Sequence, residues 1–269
     1  MEFQQVFLLG ALALWIYLSF TAIDLWKGIR ALISNQPLPT YFELFPRKLP
    51  SVYKQLLIRN DPFFRKLSPK LQKSFGSRLM KFLSDKEFEM RDGLRLTNEM
   101  MLLIGSVAIR ITFGLRNYEF NLFHTIIIYK DEFYSNVSQS FVKGETNGSG
   151  VIVFSWKDLK FGESISDDSL HLGYHEFAHA LFLEHLMDPY ESDFKEHYRE
   201  WLVYIKNNDK LEEVREKQIF RDYAAVNEME FFAVALENFF ERPHHFKSEL
   251  PNLYHMMTQM LNQDMAKAD

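Results

Sequence analysis

The sequence predicts an α+β fold, mostly helical, with a small sheet, preceded by one N-terminal transmembrane helix. Three observations predict it. Apolar residues recur at helical spacing over residues 63–83, 97–113 and 227–241. Two β-branched runs, HTIIIY at 124–129 and VIVFSW at 151–156, read as strands. From residue 3 to residue 23 there is no charge, a run of 21. As a helix that run would reach roughly 31 Å, the thickness of a bilayer core.

The first segment is unlike a cleaved leader: its start carries only Glu2, and no A-x-A site closes the apolar run. Lys27, Arg30, Arg47 and Lys48 come after it, and no Lys or Arg comes before. By the positive-inside rule the expectation is a single-pass protein of the cell membrane with its bulk in the cytoplasm. Residues 1–34 are then the anchor. Residues 35–50 hold Pro37, Pro39, Pro46 and Pro50 and read as a linker, because proline at this density cannot continue a helix. Residues 51–262 read as one domain and 263–269 as a tail. Within the domain, 135–150 is rich in Ser, Asn and Gly and reads as a loop or hairpin connection. A helix capped by Asp168 or Ser169 is expected to run to about Met187, and further helices over 193–205 and 252–262.

Composition narrows the function. The net charge is −5, which argues against a nucleic-acid partner. The chain has 26 Phe, enough for a sizeable core. It has no Cys, which excludes disulfides, thiolate ligands and thiol nucleophiles. A metal site must therefore be built from His, Asp or Glu.

His175-Glu176-Phe177-Ala178-His179 supplies such a site. Two His four apart lie one turn apart on one helix face, so both imidazoles can reach one Zn²⁺ at about 2.1 Å. Glu176 is rotated by one residue and is poorly placed to ligate. It can instead reach a water on the metal and act as its general base. The run at 151–156 precedes the motif, and such a strand would lie along the cleft and receive an extended substrate on its edge. His171 is too far from His179 along the helix to share the ion, and reads as a polar group near the helix start. His244, His245 and His255 fall in a Pro-containing connection and a terminal helix and receive no role.

Two readings of the third ligand compete. His185 completes a metzincin-like spacing, but Phe182 stands where a glycine would turn the chain back to the metal, so the helix should continue and carry His185 away. The better source is the apolar helix downstream, where Glu228, Glu230 and Glu237 compete. Glu230 and Glu237 are two turns apart on one face, so Glu230 could ligate while Glu237 steadies the site.

Taken together, HEFAH at 175–179, VIVFSW at 151–156, DYAAVNEMEFFAVALENFFERP at 222–243 and LPNLYHMM at 250–257 resemble the Mlc titration factor A family of zinc peptidases. FLSDKEFEMRDGLRLTNEM at 82–100 and TIIIYKDEF at 125–133 are also similar. The resemblance implies a zincin-like metallopeptidase domain with a gluzincin-type core, related to that of anthrax lethal factor. It implies His175, His179 and Glu230 as zinc ligands, Glu176 as base and Tyr223 as a phenol donor to the developing oxyanion. Ala180, Leu181 and Phe182 depart from the family's pattern after the motif, which bears on pocket shape. The resulting expectation is a membrane-anchored zinc peptidase, of amino- or endopeptidase type, acting on a peptide or protein substrate. The founding member also binds a repressor of sugar-uptake genes. The alternative is therefore a regulatory binding protein that sequesters a protein partner at the membrane.

Overall fold

The computed structural model describes residues 46–164, 170–187, 193–220 and 227–267, together with Gly10, Leu14, Trp15 and Leu18. Met1–Pro39 form one compact unit and Thr40–Asp269 a second. Among the described residues no helix is long and apolar enough to cross a membrane. The anchor expected over 3–23 lies outside the described residues apart from four helical positions, and so do Asp168, Ser169 and Tyr223.

The second unit begins with α1 (Ser51–Asn60), α2 (Pro62–Lys66) and α3 (Pro69–Asp85). The single helix expected over 63–83 is therefore two. Pro69 has no amide to offer and holds Ser68 extended, so the helix before it stops at Lys66. Each new start is capped: Asp61 accepts from the Phe64 amide at 3.0 Å and the Ser68 hydroxyl from the Leu71 amide at 3.4 Å. β1 (Glu87–Met90) leads to α4 (Asn98–Thr112), capped by Thr97.

Five strands follow: β2 (Thr125–Tyr129), β3 (Phe133–Ser135), β4 (Ser140–Val142), β5 (Gly144–Asn147) and β6 (Val151–Ser155). β3 and β4 form a separate hairpin. The main sheet has the order β1-β2-β6-β5, with β1, β2 and β6 parallel and β5 antiparallel at the edge. The stretch 135–150 holds the β3–β4 turn and β5, which forms a hairpin with β6, as a hairpin connection there implies. One expectation is corrected: VIVFSW is an interior strand, paired on both sides, so no substrate can add to it; the edge strands among the described residues are β1 and β5, and of these β5 lies against the helix that carries the motif.

The rest is helical: α5 (Trp156–Ser164), α6 (Leu172–Met187), α7 (Asp193–Lys206), α8 (Asn208–Glu216), α9 (Glu228–Glu241), α10 (Pro243–Glu249) and α11 (Pro251–Leu261). His244 and His245 thus sit on a short helix rather than in a connection, because Pro243 occupies a first-turn position where its missing amide costs nothing. Helix α6 lies at the centre, touching β5, β6, α4, α5, α7 and α9. Its Phe177 is fully buried and its ring meets those of Phe82, Phe120 and Phe154 at 5.3–6.1 Å. A helix apolar on every side is what a central position requires.

The end of α4 shows how tightly the helices close. The buried Arg78 guanidinium donates to the carbonyls of Phe113 and Leu115, both at 3.0 Å. Gly114, between them, meets the end of α11: a Cβ there would stand 2.2 Å from the Leu261 carbonyl oxygen and 2.4 Å from that of Asn262. Backbone on both sides cannot yield as a side chain would. Gly114→Ala should therefore destabilise the fold by about 1–3 kcal/mol, read as a melting temperature lowered by several degrees; an unchanged melting temperature would contradict this packing.

Candidate metal centre

The turn opening α6 is set by His171, whose Nδ1 accepts from the Tyr174 amide at 3.2 Å while its Nε2 meets Glu163 at 2.8 Å. From there the helix runs unbroken through Phe182 to Met187. His185 is thereby carried away from His175 and His179, and its ring stacks on Phe194 at 4.1 Å. His171 also points elsewhere, as the spacing requires.

Helix α9 packs beside α6. Asn227 caps it, its side-chain oxygen accepting from the Glu230 amide at 2.9 Å, so the cap fixes the turn on which Glu230 stands. Phe232, Ala233, Val234, Ala235 and Leu236 are fully buried, which overturns any reading of α9 as a solvated helix. Of the three competing carboxylates, Glu228 turns to the surface and pairs with Lys206 at 2.6 Å. Glu230 approaches both imidazoles: 3.3 Å to His175 Nε2 and 3.4 Å to His179 Nε2. The two Nε2 atoms are 3.1 Å apart.

His175, His179 and Glu230 are thus brought together as one group able to hold a metal. The fit is geometric as well as chemical. Donors about 2.1 Å from a tetrahedral ion stand roughly 3.4 Å from one another, and here the two Nε2 atoms are 3.1 Å apart, with one Glu230 oxygen 3.3 Å from the first and its other oxygen 3.4 Å from the second. Glu237 lies behind it, buried, and accepts from His175 Nδ1 at 2.8 Å, which leaves Nε2 as the nitrogen turned to His179 and Glu230 and able to ligate once deprotonated. The His179 Nδ1 is buried and makes no hydrogen bond among the described residues, so that ring is oriented by packing and by its Nε2 contacts with His175 and Glu230.

Glu176 points to β5 instead. The Thr146 hydroxyl donates to its carboxylate at 2.8 Å and reaches its backbone carbonyl at 3.1 Å. A Cβ on Gly144 would lie 2.4 Å from Glu176 Oε1, so only glycine lets the carboxylate nest against the strand. Sequence reasoning missed Gly144 and Thr146. GETN has neither the β-branched density nor the apolar alternation that marks a strand.

The protonation pattern follows from burial and close charges. Burial opposes a charged His175 ring, but the Glu230 and Glu237 carboxylates outweigh it and push His175 up to about 10. Burial and the charge of His175 hold His179 down to about 4. Burial lifts Glu176 to about 7, against the pull of His175 and the Thr146 hydrogen bond.

A model of the glucose-regulated metallo-peptidases, M90, matches residues 42–261. The chain belongs to this family. That is the Mlc titration factor A group that the motifs resemble. An uncharacterized protein of Synechocystis is similar too, 25% identical over 240 residues, covering 80% of this chain and 85% of the relative. The M90 match spans α6, β5 and α9, and so includes all three donors, Glu176 and Glu237.

Metal binding to an M90 centre with this protonation must displace the His175 proton. That proton is present below about pH 10 and competes throughout the neutral range. Binding at pH 8 should release about one proton per ion, and affinity should rise about tenfold per pH unit between pH 7 and 9. Calorimetry in buffers of differing ionisation enthalpy measures both. A pH-independent affinity without proton release would contradict the arrangement.

Proposed function

We propose that the chain is a zinc-dependent peptidase in which His175, His179 and Glu230 hold the ion and Glu176 is the general base. One observation carries this: His175, His179 and Glu230 each offer one donor atom within 4.8 Å of the others, and the Glu176 carboxylate beside them is held against edge strand β5 by Thr146. Two imidazoles and one carboxylate, with no thiolate available, suit zinc at a site that keeps a fourth position open. When bound, zinc lowers the pKa of a coordinated water towards neutral and polarises a carbonyl.

The chain's own groups supply the rest. A peptide strand pairing with β5 is held by backbone hydrogen bonds and presents a peptide bond to Glu176. Glu176, raised to about 7 by burial, is poised to take a proton from water at neutral pH and return it to the leaving amine. Glu237 holds the His175 ring, and Tyr223, named by the family resemblance, is assigned as the donor to the oxyanion.

Glu176→Gln should keep the metal and lose hydrolysis by about 10²–10⁴-fold on peptide substrates. Glu230→Ala should lose metal and activity together, whereas His185→Ala should keep both, as elemental analysis and peptide assays will read. Metal retained in Glu230→Ala but lost in His185→Ala would overturn the ligand assignment. Hydrolysis at the original rate in Glu176→Gln would remove it as base.

The uncharged run at 3–23 supports a further part of the proposal, a single-pass anchor with the peptidase on the cytoplasmic side. Full-length protein should sediment with membranes and resist protease added outside intact cells. Recovery in the soluble fraction would contradict it.

A further inference from the structure

We propose that Glu145 selects a basic side chain in the peptide substrate, at the residue that pairs with it across the free edge of β5. This rests on the peptidase reading and adds the kind of substrate it takes.

Alternate residues of a strand face opposite sides of the sheet. Gly144 and Thr146 face Glu176, as their contacts with its carboxylate show. Glu145 and Asn147 therefore face the other way, and Glu145 pairs in register with Val153 of β6. The Glu145 carboxylate is fixed there. The Ser135 hydroxyl donates to one oxygen, and the Asn147 side-chain amide to the other at 3.2 Å. Ser135 is itself pinned, its oxygen accepting from the Val137 and Ser138 amides at 3.1 Å each. The turn between β3 and β4 thus serves to hold one carboxylate in place.

Both donors are neutral. Among the described residues no Lys, Arg or His forms an ion pair with Glu145. Lys143, two residues earlier on the chain, is engaged by Asp158 at 3.0 Å. What remains is a half-buried, immobilised negative charge on a strand that pairs with β6 alone among the described residues. An ionised carboxylate accepting only two hydrogen bonds keeps lone pairs for a further donor.

A substrate strand on that edge brings one side chain to the same face as Glu145, with Cβ atoms about 4.5–5.5 Å apart. Opposite charges attract at that separation and like charges repel. Gly144 and Thr146 bracket Glu145 and both touch Glu176, so the selected residue neighbours the peptide bond under attack. The pleat of one short strand therefore sets the base on one side and the selectivity on the other.

The test uses the full-length, zinc-loaded protein and internally quenched peptides of one sequence. Lys, Gln or Glu is placed at each successive position, and cleavage sites are read by mass spectrometry. At one position beside the cut, kcat/KM should be about fivefold or more higher for Lys than for Glu. The ratio should shrink as salt is raised, collapse in Glu145→Gln and invert in Glu145→Lys. Cleavage by the wild-type protein without a charge preference would overturn the proposal. So would a preference that salt leaves unchanged, or one that survives in a folded Glu145→Gln variant. The salt series on wild-type protein decides the matter if the variants fail to fold. Absence of cleavage of every peptide would instead sink the peptidase reading itself.

Discussion

The Glu237 carboxylate is removed from water and meets His175 Nδ1 at 2.8 Å. A buried carboxylate without such a partner would be strongly destabilising, so this contact fixes the separation of α9 from α6. Other distances at the centre follow from it. With the two helices held at that spacing, Glu230, two turns earlier on α9, is level with both imidazoles. The same contact chooses which nitrogen of His175 is free to bind an ion. Apolar packing of Phe232, Val234 and Leu236 stabilises the helix pair without direction, and the ionic contacts, of which Glu237 to His175 is the shortest, supply register.

A second buried polar group fixes the front of α6. Arg110 is buried, meets Asp61 at 3.3 Å and Glu163 at 3.1 Å, and donates to the Tyr174 hydroxyl. Its charge holds Glu163 down to about 2 in spite of burial. Glu163 also takes His171, so one carboxylate ties α4 and α5 to the residues just before His175. The helix bearing the motif is thereby restrained at its start by polar contacts and along its length by aromatic ones.

What could be read in the sequence depended on how local the signal was. The i, i+4 histidines, the helical run through Phe182 and the seven-residue spacing of Glu230 and Glu237 are properties of a single helix, and they place these groups correctly. The caps at Thr97 and Asn227 are equally local. The break at Ser68-Pro69 was legible in principle, since proline excludes the preceding helical turn, but apolar periodicity across it hid the interruption. β5 was not legible. Its four residues are polar, and they are a strand because β6 offers them a ladder and Glu176 fills the space a Gly144 side chain would take. Which strand has the free edge is a property of pairing order, which no stretch of sequence carries by itself.

The shortness of β5 limits what a substrate can gain. Along an edge strand only every second residue turns its amide and carbonyl outward, so four residues offer a peptide only a few hydrogen bonds. Each is worth about 1 kcal/mol after the loss of water contacts, and the ordering of a flexible peptide consumes much of that. Main-chain pairing alone therefore gives loose binding and quick departure of the fragments. An enzyme built this way would act through turnover rather than tight capture. Peptides of similar length would be separated by their side chains, because the backbone ladder is the same for all of them.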